Sequence, residues 1–325
     1  MHLLFVADPL ELFNPKKDST LAMMREAQRR GFSVWACEPR HLHWSGGGAS
    51  AGDGWVRAHC RHVQVLEGAK PWFSEVEHVD RAINSFACVI MRKDPPFDNE
   101  YFYATHLLEE AEREGARVFN RPRALRDHPE KLAILEWPQF IPHTLVSRDL
   151  AQLRAFAAAE RDIIIKPLDG MGGSGIFRLR AAADGGPDVN LNVALETLTD
   201  WGRRTIMAQR FIPEIAKGDK RVLLIGGEPV PFALARIPQG GETRGNLAAG
   251  GLGVAQALTT ADRLIADALG PVLAARGLLL VGIDIIGERL TEINVTSPTC
   301  FVEITQQTGY DVAARFIDAV QAAIA

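Results

Sequence analysis

The sequence predicts an α/β protein that becomes α+β in its C-terminal part, and three observations carry that prediction. The first 120 residues or so alternate apolar strands with helically spaced segments. Near Arg126 to Lys131 the pattern changes, and strands then follow one another mainly through glycine-rich turns rather than long helices. At 325 residues the chain is long for one unit, so two or three structural units sharing an interface are expected.

The N-terminal part opens as a βαβ unit. Residues 2–7 are a continuous apolar run, residues 18–30 carry helical spacing with Asp18 or Ser19 as N-cap, and Gly31 stops the helix before the strand FSVWAC. A further strand at 87–91 ends in the polar loop RKDPPFDNE. A helix from about 100 to 114 then leads through Gly115 to the strand RVFN. Ligands of open α/β sheets sit at the carboxyl ends of such strands. That makes the segment from Lys16, with Lys17, Asp18 and Ser19, and the trio Arg92, Lys93 and Asp94, candidate binding positions; ordinary polar loops are the equal alternative. The stretch SGGGASAGDG, 45–54, reads as a solvated flexible insert.

Composition narrows the class. Apolar residues are 47% and charged residues 23% of the chain, which is the balance of a globular protein, and the net charge of -4 shows none of the basic excess that nucleic-acid binding needs. Cys37, Cys60, Cys88 and Cys300 form no C-x-x-C pair, so neither a zinc site nor a disulfide framework is indicated. The apolar start is cut short by Asp8 and Pro9, and no apolar run nears the roughly 20 residues that span a bilayer. A cytoplasmic protein without membrane or nucleic-acid partners is expected.

Residues 162–180, DIIIKPLDGMGGSGIFRLR, read as a strand, a glycine-dense turn and a second strand. Gly170, Gly172 and Gly175 satisfy G-x-G-x-x-G, but the dinucleotide fingerprint needs a helix after the loop and a strand follows here. A glycine loop between strands instead folds over nucleotide phosphates, because glycine lets backbone N–H groups approach the oxygens. Gly170, Gly172, Gly173 and Ser174 are the candidates for this. Lys166, beside Ile163 to Ile165, would be costly to bury without an anion, and phosphate is the natural one; the alternative is a lysine that snorkels to water.

Residues 281–298, VGIDIIGERLTEINVTSP, read as an antiparallel hairpin around Gly287–Arg289. With a three-residue turn, Ile286 pairs with Leu290, Asp284 stands opposite Glu292, and Asn294 follows on the same face. Two carboxylates and an amide are hard oxygen donors that suit magnesium. A two-residue turn would instead send Asp284 to the other face.

Between these elements, the strands VLLIG and FALAR bracket a hairpin signal at Gly227–Glu228, flanked by Arg221 and Arg236. The segment 237–253 has six glycines and no periodicity, which marks it as a mobile functional loop or a disordered one. Arg244 sits in its middle. Arginine holds carboxylate or phosphate in two-pronged fashion, so three of them near such a site imply an anionic co-substrate; surface arginines that bind nothing are the alternative.

The segments NPKKDST, EAQRRG, MRKDPPFD, KPLDGMGG, GDKRVL, ARIPQGGETRGNLAAGG and VGIDIIGERLTEINVTSPT together closely resemble the bacterial-type glutathione synthetases of the ATP-grasp superfamily, from the first strand to the last helix. The resemblance implies an N-terminal open α/β domain (1–128), a small central lid domain (129–210) and a C-terminal domain (211–325), with ATP gripped between the last two. It implies ligation of γ-glutamylcysteine to glycine through an acyl phosphate, with ATP as co-substrate, magnesium or manganese as metal, and a homo-oligomer, dimer or tetramer.

The resemblance also assigns roles. Lys131 and Lys166 would contact ATP phosphates, Gln209, Arg210, Phe211 and Ile212 would face the adenine, and Asp219 would hold the ribose. Asp284, Glu292 and Asn294 match the metal ligands. Arg221, Arg236 and Arg244 match residues that hold substrate carboxylates and the acyl phosphate, with Ser297 and Thr299 near the peptide substrate. Two departures stand out: the 45–54 insert, and Arg210 where a small polar residue is expected.

Overall fold

The computed structural model of the protein describes residues 1–47, 55–68, 71–170, 172–240, 245, 247 and 250–325. The chain begins β1 (His2–Val6), α1 (Ser19–Arg29), β2 (Ser33–Cys37), β3 (Leu42–Ser45), β4 (Trp55–Val65), β5 (Phe73–Ala82), β6 (Cys88–Met91), α2 (Asn99–Arg113), β7 (Val118–Phe119) and α3 (Pro122–Asp127). Its strands form a seven-stranded sheet in the order β3-β4-β2-β1-β6-β7, with β5 also on β4. Leu3 to Val6 are fully buried, as a parallel central strand requires, and β1 pairs in parallel with β2 and β6. Asp18 caps α1 by accepting from the Leu21 N–H at 2.8 Å, and Gly31 takes the positive φ that ends it.

The middle segment holds β8 (Thr144–Ser147), α4 (Leu150–Glu160), β9 (Asp162–Pro167), β10 (Phe177–Arg180), α5 (Leu191–Thr199) and β11 (Ile206–Arg210), with a four-stranded antiparallel sheet in the order β10-β9-β11-β8. The C-terminal segment holds β12 (Asp219–Ile225), β13 (Glu228–Ile237), β14 (Leu252–Ala257), α6 (Thr260–Ala275), β15 (Leu280–Ile286), β16 (Arg289–Asn294), α7 (Phe301–Thr308) and α8 (Val312–Ile324). Its five strands run β14-β13-β12-β15-β16.

Burial couples the first and third sheets. One apolar cluster joins Leu3 and Phe5 to Leu223, Phe301 and Phe316, and another joins Val89 and Leu108 to Val281 and Ile293. Buried Asn120 locks the junction: its amide donates to the carbonyls of Leu280 (2.7 Å) and Val295 (2.8 Å), and its oxygen accepts from the Leu280 N–H at 2.9 Å. The middle sheet has a core of its own, built from residues such as Leu153, Ile165, Leu195 and Ala208. Among the described residues no helix is long and apolar enough to cross a membrane.

Two hairpins differ from the sequence expectation. The β12–β13 turn is Gly226–Gly227, one residue earlier than Gly227–Glu228, with φ of 63° and 87°. A two-residue turn of this hand needs positive φ at both central positions, and two glycines supply it. The β15–β16 turn is likewise two residues, Gly287–Glu288, so that Ile286 pairs with Arg289 and Ile285 with Leu290. The register then shifts through an extra residue, Thr291, and Asp284 comes to stand opposite Glu292 after all. The bulge reverses the face change that the shorter turn would impose. Of the 45–54 insert, Ser45 ends β3 and 48–54 lie outside the described residues.

Candidate active site

Strand periodicity assembles the site on one face of the third sheet. Across β12, β13 and β15, Asp219 pairs with Arg236 and Arg221 with Asp284, while Gly282 pairs with Asn294 on β16. With Glu292 opposite Asp284, six polar side chains share that face. Gly282 is required there: a Cβ would lie 2.8 Å from the Arg221 Cδ.

This face, the glycine turn of the β9–β10 hairpin and the segment after β11 enclose a cleft of about 330 Å³. Its lining includes Lys131, Lys166, Gly170, Gly172, Gly173, Ser174, Gln209, Arg210, Phe211, Ile212, Asp219, Arg221, Arg236, Glu292, Asn294, Ser297, Thr299 and Asp94. That volume, with convergent charge, suits a small-molecule site.

The cations are held by specific partners. Lys131 Nζ is 3.2 Å from Glu292 Oε1 and also donates to the Gly170 carbonyl, so it ties the glycine turn to the acidic strand. Lys166 Nζ donates to the Thr291 carbonyl at 3.2 Å, the carbonyl of the bulged residue. Burial lowers the Lys166 pKa, with Lys131 adding to the effect and Glu292 opposing it. An ammonium in that position invites an anion.

Asp284 lies deeper than the rest and does not line the cleft. Arg221 holds it with two bonds, Nε to Oδ1 at 2.5 Å and Nη2 to Oδ2 at 3.0 Å. Arg236 Nη2 is 2.9 Å from Oδ2, and the Asn294 amide donates to the same oxygen at 3.2 Å. Burial pushes the Asp284 carboxyl up, but the two guanidiniums more than offset this and hold it well below the usual carboxylate range. Asp219 accepts from Arg236 through Oδ2 at 2.5 Å, while its Oδ1 is buried without a hydrogen-bond partner among the described residues. Its carboxyl is pushed up to about 6, chiefly by burial, against the pull of Arg236.

Glu292 and Asn294 offer a divalent metal oxygen from the cleft wall, and Asp284 behind them is a third oxygen donor that would have to release one of its bonds to Arg221, Arg236 or Asn294 to reach the ion. The donor set fits a hard cation. The Asn294 amide nitrogen is engaged by Gly282 and Asp284, which leaves its oxygen as the available atom.

After β11 the backbone crosses to the third sheet. Arg210 lines the cleft there, while its side chain turns outward to Glu160 at 2.5 Å. Phe211 is backed by Arg178, whose guanidinium carbon lies 3.5 Å from the ring centroid and which Asp162 fixes with two bonds, at 2.9 and 2.7 Å.

Several candidates are not brought to the cleft. Asp18 is committed as the α1 cap, and Ser19 accepts from the Phe301 N–H at 3.2 Å. Lys17 and Lys93 do not line the cleft, and Lys93 pairs with Asp8 at 2.9 Å. Arg92 acts from behind: it is buried and donates to Thr20 at 3.0 Å and to the Pro298 carbonyl at 2.9 Å, bracing the wall that carries Ser297 and Thr299. Arg244 lies outside the described residues.

Glu130 is a charged lining residue that sequence reading missed, as it missed apolar ones such as Ile164 and Ile286. It accepts from the Val295 N–H (3.0 Å), the Thr296 N–H (3.2 Å) and the Thr296 hydroxyl (2.8 Å), anchoring the segment after β16. Its carboxyl is raised by burial and then by Glu292. A single glutamate between turns carries no periodic signal, and its adjacency to Lys131 was the only cue.

The comparisons with known proteins agree over the whole chain. The family described as prokaryotic glutathione synthetase, N-terminal domain, matches residues 1–126, and its ATP-grasp domain matches residues 130–309. A glutathione synthetase of Bordetella parapertussis is 55% identical over 328 residues, covering 99% of both chains. One of Pseudomonas aeruginosa is 52% identical over 320 residues, covering 98% of this chain and 97% of the relative. Among solved structures, the D-cycloserine synthetase DcsG aligns over 100% of both chains with a TM-score of 0.65 at 15% identity. The ATP-grasp ligase PsnB, complexed with a minimal precursor, Mg and ADP, covers 99% of this chain and 98% of its own, with a TM-score of 0.62 at 17% identity. At such identities the structural likeness speaks for the fold alone.

Proposed function

We propose the chemistry of this cleft from one premise: the chain belongs to the prokaryotic glutathione synthetase family and has the ATP-grasp fold. It ligates γ-glutamylcysteine to glycine with ATP, releasing ADP and phosphate. The observation that carries this reading is identity above half to glutathione synthetases across the full length of both chains.

Joining a carboxylate to an amine in water is unfavourable, so the carboxylate first acquires a leaving group. The cysteinyl carboxylate oxygen of γ-glutamylcysteine attacks the γ-phosphorus of ATP, the bond to the β,γ-bridging oxygen breaks, and ADP leaves. The amine of glycine then attacks the acyl-phosphate carbonyl, phosphate departs with the bonding pair, and the ammonium proton is lost to solvent. No protein nucleophile is needed. We assign Lys131, Lys166 and the turn residues Gly170, Gly172, Gly173 and Ser174 to the phosphates, Gln209 to Ile212 to the base, and Asp219 to the ribose. Arg221 and Arg236, with Arg244, stabilise the substrate carboxylate and the transferring phosphoryl group. That is positioning and electrostatics, which is what phosphoryl transfer asks of a protein.

Glu292, Asn294 and Asp284 are the residues that would hold a divalent metal, magnesium with manganese as the alternative, which supplies charge neutralisation at the phosphates. We divide the chain into units 1–128, 129–210 and 211–325, with the cleft between the last two. The four cysteines are buried thiols, which suits a reducing cytoplasm.

Purified protein is expected to form ADP, phosphate and glutathione in equal amounts only when magnesium, γ-glutamylcysteine and glycine are all present. Mass spectrometry of the product checks this, and brisk turnover of an unrelated carboxylate in place of γ-glutamylcysteine would refute the substrate assignment. Lys166→Met is expected to raise the KM for ATP by about 10- to 10²-fold, the worth of one charged hydrogen bond. Its melting temperature should stay level or rise, because the substitution removes a buried charge whose hydrogen-bond partner among the described residues is a neutral carbonyl. Initial rates against ATP and a thermal melt decide both.

A further inference from the structure

Outside the cleft, the β3-β4-β5 part of the first sheet brings two histidines and an aspartate together. His43 pairs with Arg57 across β3 and β4, and His59 pairs with Asp80 across β4 and β5. Side chains alternate along a strand, so His43, Arg57, His59 and Asp80 share one face. His43 Nε2 lies 3.4 Å from Asp80 Oδ1, and His59 Nδ1 lies 3.8 Å from the same oxygen. The three ligand atoms all lie within 4.8 Å of one another.

The orientation of these groups argues that something belongs between them. His43 Nδ1 faces the His41 carbonyl at 3.3 Å, an atom that can only accept, so Nδ1 serves as the donor and the ring is oriented with Nε2 toward Asp80. Asp80 Oδ1 is shut off from solvent and has no hydrogen-bond partner among the described residues. Its other oxygen accepts from Arg57 Nε at 2.6 Å, and Arg57 also donates to the Asp80 carbonyl at 2.9 Å, so the carboxylate is held in place with one oxygen unused. A carboxylate oxygen with no hydrogen bond among the described residues, faced by two imidazole nitrogens, is a donor set that a cation can fill. A ring N–H on a backbone carbonyl and a carboxylate braced by arginine are the outer supports that metal ligands commonly have.

We propose that His43, His59 and Asp80 form a binding site for a late first-row divalent cation of the zinc class, separate from the oxygen-lined cleft. Two imidazoles and a carboxylate favour zinc over magnesium. Metal–ligand bonds of about 2.0–2.2 Å put tetrahedral ligands roughly 3.4 Å apart, so the observed spacings need only small side-chain rotations, with water as the fourth ligand. Bound there, the ion would pin three strands of the sheet together.

The test is zinc stoichiometry of the chelator-treated full chain after equilibrium dialysis against micromolar Zn²⁺, for the wild type, His59→Ala and His43→Ala, with His106→Ala as a surface control. None of the three proposed ligands lines the cleft, so metal bound there is common to all four proteins and the differences isolate this site. The wild type and His106→Ala are expected to hold one more zinc per chain than His59→Ala or His43→Ala, with magnesium-dependent turnover equal in all four. Cobalt(II) added to the wild type should give visible ligand-field bands that both ligand variants lack. Equal zinc content in all four proteins, or cobalt spectra that do not differ, would overturn the proposal.

Discussion

Glu292→Gln is expected to lose about 10²–10³-fold in kcat, the scale of removing one electrostatic partner from a transferring group. Glu292 lines the cleft, faces Asp284 across the hairpin and sits 3.2 Å from Lys131. The amide keeps the size and removes the charge. Lys131 retains the Gly170 carbonyl, so the chain should still fold with an unaltered far-ultraviolet circular dichroism spectrum. Steady-state rates over a magnesium titration are the measurement: a higher magnesium requirement together with the lower kcat supports the metal-ligand role. Wild-type turnover with the same magnesium dependence would remove Glu292 from the metal site.

Arg221→Met should cost stability as well as turnover. Arg221 and Asp284 are both buried and joined by two bonds, so the variant leaves a carboxylate in the interior with Arg236 and Asn294 as its remaining side-chain partners among the described residues. Breaking one side of a buried pair costs about 3–5 kcal/mol. The double variant Arg221→Met/Asp284→Asn should recover much of that loss, because the orphaned charge is gone, and should stay inactive. Denaturant titration of the two single variants and the double closes the cycle. If the double variant were no more stable than Arg221→Met, the pair would not be the source of the loss. If it turned over normally, neither residue would belong to the chemistry.

Much of this protein was legible without coordinates, because local periodicity carries it. The buried run of β1, the cap and stop of α1, the glycine hairpin with Lys166 near the end of its first strand and the alternation that puts Glu292 and Asn294 on one face of β16 all follow from period 2, period 3.6 and glycine placement. The family resemblance rests on the same segments, and whole-length relatives share it.

Tertiary structure decided the rest. The acidic face depends on a bulge at Thr291, and a bulge is a property of two strands paired together, not of either one. Whether a polar residue after a strand meets a ligand or caps a helix cannot be read from its type: Asp18 and Asp94 both follow strands of the first sheet, yet one caps α1 and the other lines the cleft. Arg221 and Arg236 close on Asp284, and Glu130 grips Val295 and Thr296, across 48 to 166 residues of chain. Such contacts have no periodicity to announce them. They exist because burial leaves each charge no water to turn to, and the nearest opposite charge is whatever the packing of three sheets has brought alongside.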